Sequence, residues 1–194
     1  SLLIVGAGVI GCELASLYAR LGVPVRVVEL LPQVLPGFDG DVSREIGRAL
    51  KKQGVDVLLE TKIESARVNE EGSKLAQLKL SDGQTLEAQC CIVAVGRKPA
   101  LEGLAPEKAG LHLNKKGAVE VDERCRTAVP GIYAIGDVTG VAPLAHVASH
   151  MGIVASEQIA GAARGGRDLI FDKSLAPWAV FTEPEVASIG LSEE

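Results

Sequence analysis

Gly6, Gly8 and Gly11 stand in the spacing G-x-G-x-x-G, between an apolar run, Leu2 to Val5, and a stretch of helical character. A second apolar run, Val25 to Val28, ends on Glu29. Each position has a chemical use. The first glycine allows a tight turn after a strand, the second lets backbone approach a pyrophosphate, and the third lets a helix pack close to that strand. Val9 and Ile10, between the second and third glycines, belong to the same cradle, where the unpaired N–H groups and positive end of a helix favour phosphate. Glu29 falls about twenty residues on, where a carboxylate accepts the ribose hydroxyls of an adenosine. A glycine triplet alone is a weak signal, and its structural alternative is a tight βαβ turn with no ligand. Here it follows a predicted strand, opens a predicted helix and is answered by an acid, so dinucleotide binding is the better reading. The acid also selects the dinucleotide. It would repel a 2′-phosphate, and Leu30, Leu31, Pro32 and Gln33 offer no arginine to receive one. NAD is expected rather than NADP.

Thiols are the next candidates for chemistry. Cys12, Cys90, Cys91 and Cys125 form no C-x-x-C and no set with metal-ligand spacing. They are expected to be reduced, buried thiols acting as small hydrophobes. Cys90 and Cys91 point to opposite faces if they lie on a strand, which disfavours a bridge between them. No metal site is expected.

The elements that must position these groups follow from pattern. Leu2–Val5 and Val25–Val28 read as strands buried on both faces of a parallel sheet. After a loop broken by Pro32 and Pro36, a helix begins near Asp41 or Ser43, carries Val42, Ile46, Ala49 and Leu50 at helical spacing, and stops at Gly54. Val55 to Leu59 is a further strand. From Thr61 to Ala88 the pattern becomes alternation and turns (NEEGSK, SDGQ), an antiparallel meander with Lys74, Gln77 and Lys79 on a wet face. CIVAVG then reads as a buried central strand ending at Gly96, and GIYAIGDV (131–138) as a strand ending at Gly136 and Asp137. Pro143 opens a long helix, apolar on nearly every side and expected to be buried, that runs to about Ala163. The segment APWAVFTEPEVASIGLSEE begins another strand.

The 194 residues, 47% hydrophobic and 23% charged, suffice for one large or two small domains with a proper core. A net charge of −5 gives no reason to expect nucleic acid or an anionic membrane as a partner. Every apolar run is interrupted by glycine, proline or charge before it could span a bilayer. No leader is recognisable, and the expected location is cytoplasmic.

GAGVIGCELASLYARLG with VRVVE, the loop LPGFDGDVS, AVGRKP, VDERCRTAVPGIYAIGDV and FTEPEVASIGLSEE occur in this order. Together they resemble the flavin-dependent pyridine-nucleotide–disulfide oxidoreductases, and the loop in particular resembles their lipoamide dehydrogenase subgroup. Mercuric, glutathione and coenzyme A disulfide reductases share most of these motifs. The resemblance implies an α/β fold: a Rossmann-like NAD-binding domain with an inserted antiparallel meander over residues 1–98, a central segment over 99–166 that completes an FAD domain, and the start of a dimer-forming domain over 167–194. It implies that Gly6, Gly8 and Gly11 hold the NAD pyrophosphate, that Glu13 lies near the nicotinamide end, and that Gly96 lets backbone pass the nucleotide. The structural alternative for Glu13 is an acid in a helix's first turn, stabilised by the dipole. Gly136 and Asp137 would meet the flavin ribityl chain, and Leu144, Ala145 and His146 would form a helix start beneath the flavin ring. His112 and His150 read as ordinary residues. Homodimerisation and membership of a 2-oxoacid dehydrogenase complex are implied as well.

The family's reaction also needs a C-x-x-x-x-C disulfide, a second glycine motif and an H-x-x-x-x-E pair, none of which this chain contains. The chain therefore reads as an internal piece of a longer polypeptide, NAD-binding at best and without lipoamide activity by itself. The central helix is expected to leave an apolar face in need of cover. A stand-alone nucleotide-sensing module is the alternative from a different functional class.

Overall fold

The computed structural model describes residues 1–68, 75–161 and 164–192. The turn NEEGSK, with Lys74, lies outside the described residues. Two compact units are present: Ser1–Gly96 with Pro177–Glu194, and Arg97–Ala176.

The first unit is built on a parallel sheet. Strand β1 (Leu2–Val5) pairs on one side with β2 (Val25–Val28), which pairs with β3 (Asp56–Leu58). On its other side β1 pairs with β7 (Cys90–Val93), giving the order β3-β2-β1-β7. Helices α1 (Val9–Arg20) and α2 (Gly40–Lys52) provide the crossovers. The apolar run of β1 has the double burial expected of it. Leu2 and Ile4 join Cys12 and Ala15 of α1 and Ile46 and Leu50 of α2 in one core. Leu3 faces the other way, into a second core with Leu78, Leu80 and Leu86. Those residues come from the antiparallel meander β4 (Ile63–Val68), β5 (Ala76–Leu80) and β6 (Thr85–Ala88). The mixed α/β architecture, a parallel sheet plus an antiparallel meander, is the one expected from sequence.

Several local expectations need correction. CIVAVG is not central: among the described residues β7 is the outer strand of the sheet, partnered by β1 alone, and Cys90 is exposed and Cys91 half-buried. Gln77 is not on a wet face. It is buried because its amide accepts from Arg67 Nε at 2.8 Å and donates to the Glu87 carboxylate across the meander. Helix α2 starts at Gly40, one residue before the earlier of the two caps expected. The last segment holds two strands, β8 (Trp178–Val180) and β9 (Val186–Ser188), paired as a hairpin.

In the second unit GIYAIGDV is not a regular strand. Thr127 N–H donates to Ile132 O and Ala134 N–H to Cys125 O, a pairing too short to propagate, and Gly136–Thr139 then form one turn of 3₁₀ helix. Helix α3 (Ala145–Ala160) begins after Pro143 and Leu144 and ends on Gly161. It is not buried all round. Val147, Met151, Val154 and Ala155 recur at helical spacing on a buried face, whereas Ile153 and Ile159 are more than half exposed. An ionic network holds the chain beyond α3. Arg124 grips Asp168 with two parallel bonds of 2.9 and 3.0 Å, Gln158 donates to the same carboxylate, and Arg167 pairs with Glu157 at 2.9 Å.

Candidate functional site

The residues nominated for the dinucleotide converge at the C-terminal ends of β1, β2 and β7, beside the point where the chain, after stepping outward from β1 to β2 and β3, returns to the other side of β1 as β7. Ligands of open parallel sheets bind at such a switch point. Gly6 N–H donates to Val28 O and Ala94 N–H to Val5 O, so the three strand ends are stitched together just where Gly6, Glu29 and Gly96 follow.

Gly6 and Gly11 are glycines for reasons internal to the protein. Gly6 has a left-handed φ of +99°, and a Cβ on it would lie 2.6 Å from Ala94 O. A Cβ on Gly11 would lie 1.9 Å from Gly6 O, which is how closely α1 packs on the turn. Gly8 differs. Its φ of −71° and ψ of −171° suit any residue, and an added Cβ meets no protein atom within 4 Å. Nothing in the fold demands glycine at Gly8. It sits at the N-cap of α1, in front of the first N–H groups that the intrahelical ladder cannot reach. Val9, half-buried, turns toward the core, and Ile10 is exposed on the helix's first turn. The site thus fits a pyrophosphate: open space, ladder-free N–H groups and a positive helix end.

Glu29 is buried, 8% exposed, and aimed into this turn. Its Oε2 accepts from Ala7 N–H at 2.6 Å and its Oε1 from Leu31 N–H at 2.8 Å. Ala7 is the middle of the glycine turn, and its carbonyl accepts from Leu35 N–H at 2.8 Å and from the Cys12 thiol at 3.2 Å. Burial pushes that thiol up to about 12, with the charges of Glu29 and Glu13 acting in the same direction, so it stays a neutral donor. The turn is therefore fixed before any ligand arrives. An ionised carboxylate has about four lone-pair sites. Two are used here, which leaves acceptor capacity for a ribose diol.

Glu13 is the fifth residue of α1 and lies in its second turn, so the dipole explanation for an acid there loses force. The half-buried carboxylate accepts from Phe181 N–H at 2.9 Å, at the end of β8. Gly96 has φ +125°, and no protein atom lies within 4 Å of an added Cβ, so backbone conformation alone calls for glycine there.

The flavin-side nominees all belong to the second unit. Gly136 has φ +72° and packs on α3, where an added Cβ would lie 3.1 Å from Ala148 Cβ. Asp137 pairs through Oδ2 with Arg97 at 3.2 Å. Its partner comes from the AVGRKP motif, a link that sequence reasoning missed. Leu144 is the N-cap of α3, with Ala145 and His146 exposed in the first turn. That turn offers backbone N–H groups and a positive end. The ring of His150 stands edge-on to Phe171 at 5.9 Å, an ordinary packing role. Among the described residues no group of three or more His, Cys, Asp or Glu could hold a metal. Sequence reasoning also missed the backbone amides of Ala7, Leu31 and Phe181. Amides leave no trace in residue type, and only the fold brings them to a carboxylate.

Known proteins resemble this chain over nearly its whole length. A dihydrolipoyl dehydrogenase of Mycobacterium tuberculosis is 44% identical over 196 aligned residues, covering 100% of this chain and 41% of that protein. The crystal structure of LpdA from the same organism superposes with a TM-score of 0.89 at 33% identity, covering 99% of this chain and 40% of that one. The Cu(II) complex of the HOCl-induced flavoprotein disulfide reductase RclA from Escherichia coli superposes with a TM-score of 0.87 at 32% identity, covering 99% and 43%. This chain thus spans about two-fifths of the length of the proteins it matches. The family model for pyridine nucleotide-disulphide oxidoreductases matches residues 1–152, taking in the glycine turn, Glu29, the meander and the start of α3, and the chain belongs to that family.

Proposed function

We propose that this chain is the NAD-binding portion of a flavin-dependent disulfide oxidoreductase of the dihydrolipoyl dehydrogenase type. The full-length enzyme would convert dihydrolipoamide and NAD+ to lipoamide, NADH and a proton. FAD and NAD are the cofactors of the family. When bound, FAD carries two electrons between the dithiol–disulfide couple and nicotinamide. The chain's own share is to bind and orient. Gly6, Gly8, Val9, Ile10 and Gly11 hold the pyrophosphate, Glu29 the adenosine ribose, and Glu13 and Gly96 the nicotinamide end. Gly136, Asp137, Leu144, Ala145 and His146 serve the flavin. In this reading residues 1–98 are the nucleotide domain, 99–166 complete a flavin domain and 167–194 open the domain through which two copies pair. Docking into a 2-oxoacid dehydrogenase complex and a cytoplasmic location belong to the same reading. Among the described residues no helix is long and apolar enough to cross a membrane.

Gly8 carries the proposal, because its side-chain space is open although nothing in the protein requires it to be. Its test is a fluorescence titration with NADH and NADPH. NADH should bind clearly tighter, since Glu29 is anchored beside Leu30 and Leu31, with no arginine in the following loop to receive a 2′-phosphate. A preference for NADPH overturns the reading. This chain alone should show no dihydrolipoamide turnover, because it has no C-x-x-x-x-C pair. The likeness to RclA supports a second reading, a reductase of another disulfide within the same family. Assaying the full-length protein against lipoamide and other disulfides separates the two.

A further inference from the structure

Helix α1 presents Glu13, Ser16 and Arg20 along one face, and all three meet the loop that follows β8. Both backbone polar groups of Glu183 are held by side chains. Its N–H donates to Ser16 Oγ at 3.2 Å, and its carbonyl accepts from Gln53 Nε2 at 2.7 Å. Ser16 is buried, and Gln53 is the C-cap of α2. The Oε1 of Gln53 is buried with no hydrogen-bond partner among the described residues. A glutamine at a helix end can reach water with both amide atoms. Forgoing that marks a side chain held by its donor. Two residues before Glu183, Phe181 N–H donates to Glu13 Oε1. Phe181 is 70% exposed, so this amide is placed mainly by its neighbours: buried Val180 on one side, buried Thr182 and clamped Glu183 on the other.

We propose that Ser16 and Gln53 are positioning residues for Glu13: by clamping Glu183 they place the Phe181 amide that orients the Glu13 carboxylate toward the nicotinamide end of the dinucleotide. Neither side chain needs to touch the ligand. The inference rests on the reading of Glu13 given above and adds two residues remote from the glycine turn to the nicotinamide subsite. It also makes the β8–β9 loop part of nucleotide recognition.

The test compares NADH with ADP-ribose, which shares the adenine, ribose and pyrophosphate but lacks nicotinamide, by titration on the full-length protein. Ser16→Ala and Gln53→Glu should each weaken NADH binding about three- to tenfold while ADP-ribose affinity stays within about twofold. Glu13→Gln should shift the same ratio. Ser16→Thr, which keeps the hydroxyl, should retain NADH affinity. In a Glu13→Ala background, Ser16→Ala should add no further loss, as expected for residues acting through one another. Amide exchange at Phe181 should be slow in the parent and faster in Gln53→Glu. Equal weakening of both ligands would mean a purely structural role and overturn the proposal. A shifted ratio for Glu13→Gln with none for Ser16→Ala or Gln53→Glu removes the clamp but keeps Glu13 at the nicotinamide. No shift for Glu13→Gln removes both.

Discussion

Alanine substituted in turn at Gly6, Gly8 and Gly11 should separate ligand space from protein packing, because the three glycines are empty for different reasons. At Gly6 the new side chain is strained by φ +99° and driven to 2.6 Å from a backbone oxygen that cannot step aside. Strain of this kind costs of order 1–3 kcal/mol, and crowding adds about 1–3 kcal/mol. At Gly11 a Cβ 1.9 Å from Gly6 O forces α1 off the sheet. The helix-propensity gain of about 1 kcal/mol from glycine to alanine offsets only part of that. At Gly8 neither strain nor crowding arises. With φ −71° and no atom within 4 Å, alanine gains about 0.4–1 kcal/mol from lower unfolded-state entropy, offset by its poorer fit at a helix N-cap, so the stability of the ligand-free protein should change little. The same methyl stands where a pyrophosphate must approach backbone. Loss of one charge-assisted hydrogen bond, worth about 1.5–3 kcal/mol, corresponds to a drop in NADH affinity of roughly ten- to hundredfold. Urea unfolding supplies the stabilities and NADH fluorescence the affinities. The reasoning fails if Gly8→Ala destabilises as Gly6→Ala does, or if it binds NADH as the parent does.

Three further outcomes follow from named contacts. Glu29→Gln replaces one acceptor facing a backbone N–H with an NH2 group, so it should cost about 1.5–3 kcal/mol of stability without ligand and also weaken NADH. Weaker binding at unchanged unfolding midpoint would mean that the Ala7 and Leu31 bonds do not form in solution. The Arg124 guanidinium and Gln158 amide hold the Asp168 carboxyl well below the usual carboxylate range. A depressed folded pKa contributes stability above the unfolded value of about 4 and loses it as pH falls further. Asp168→Asn should therefore lower the unfolding midpoint at neutral pH, modestly because the pair is exposed, and the deficit should shrink below about pH 4. A deficit independent of pH rules the ion pair out. For the thiols, a disulfide reagent at about pH 8 should label exposed Cys90 first, with Cys12 and Cys125 reacting only after unfolding, because burial raises both. Fast labelling of Cys12 would contradict the closed glycine turn.

What was legible in the sequence depended on whether a residue's type encodes its partner. Gly6, Gly11 and the β1 run could be read because close packing and double burial leave a compositional trace, and the meander because alternation does. Position in the sheet could not be read from apolarity. CIVAV is as hydrophobic as a central strand, yet its partner on the far side is not among the described strands, so β7 is an edge with Cys90 in the open. GIYAIGDV shows the same limit, since strand character needs a neighbour with which to pair. The candidate site divides along this line too. Gly8 and Glu29 were nominated by spacing, but spacing could not show that Glu29 holds the turn as well as awaiting a ribose, because its partners are amides. Nor could it show that Glu13 meets Phe181, 168 residues away, through backbone. Motif residues name the ligand; amides contributed by distant segments decide where those residues point. For that reason the Ser16–Gln53 clamp gives the more informative pair of substitutions: neither residue is a glycine or acid of the nucleotide fingerprint, and both hydrogen-bond the Glu183 backbone, two residues from the amide that Glu13 accepts from.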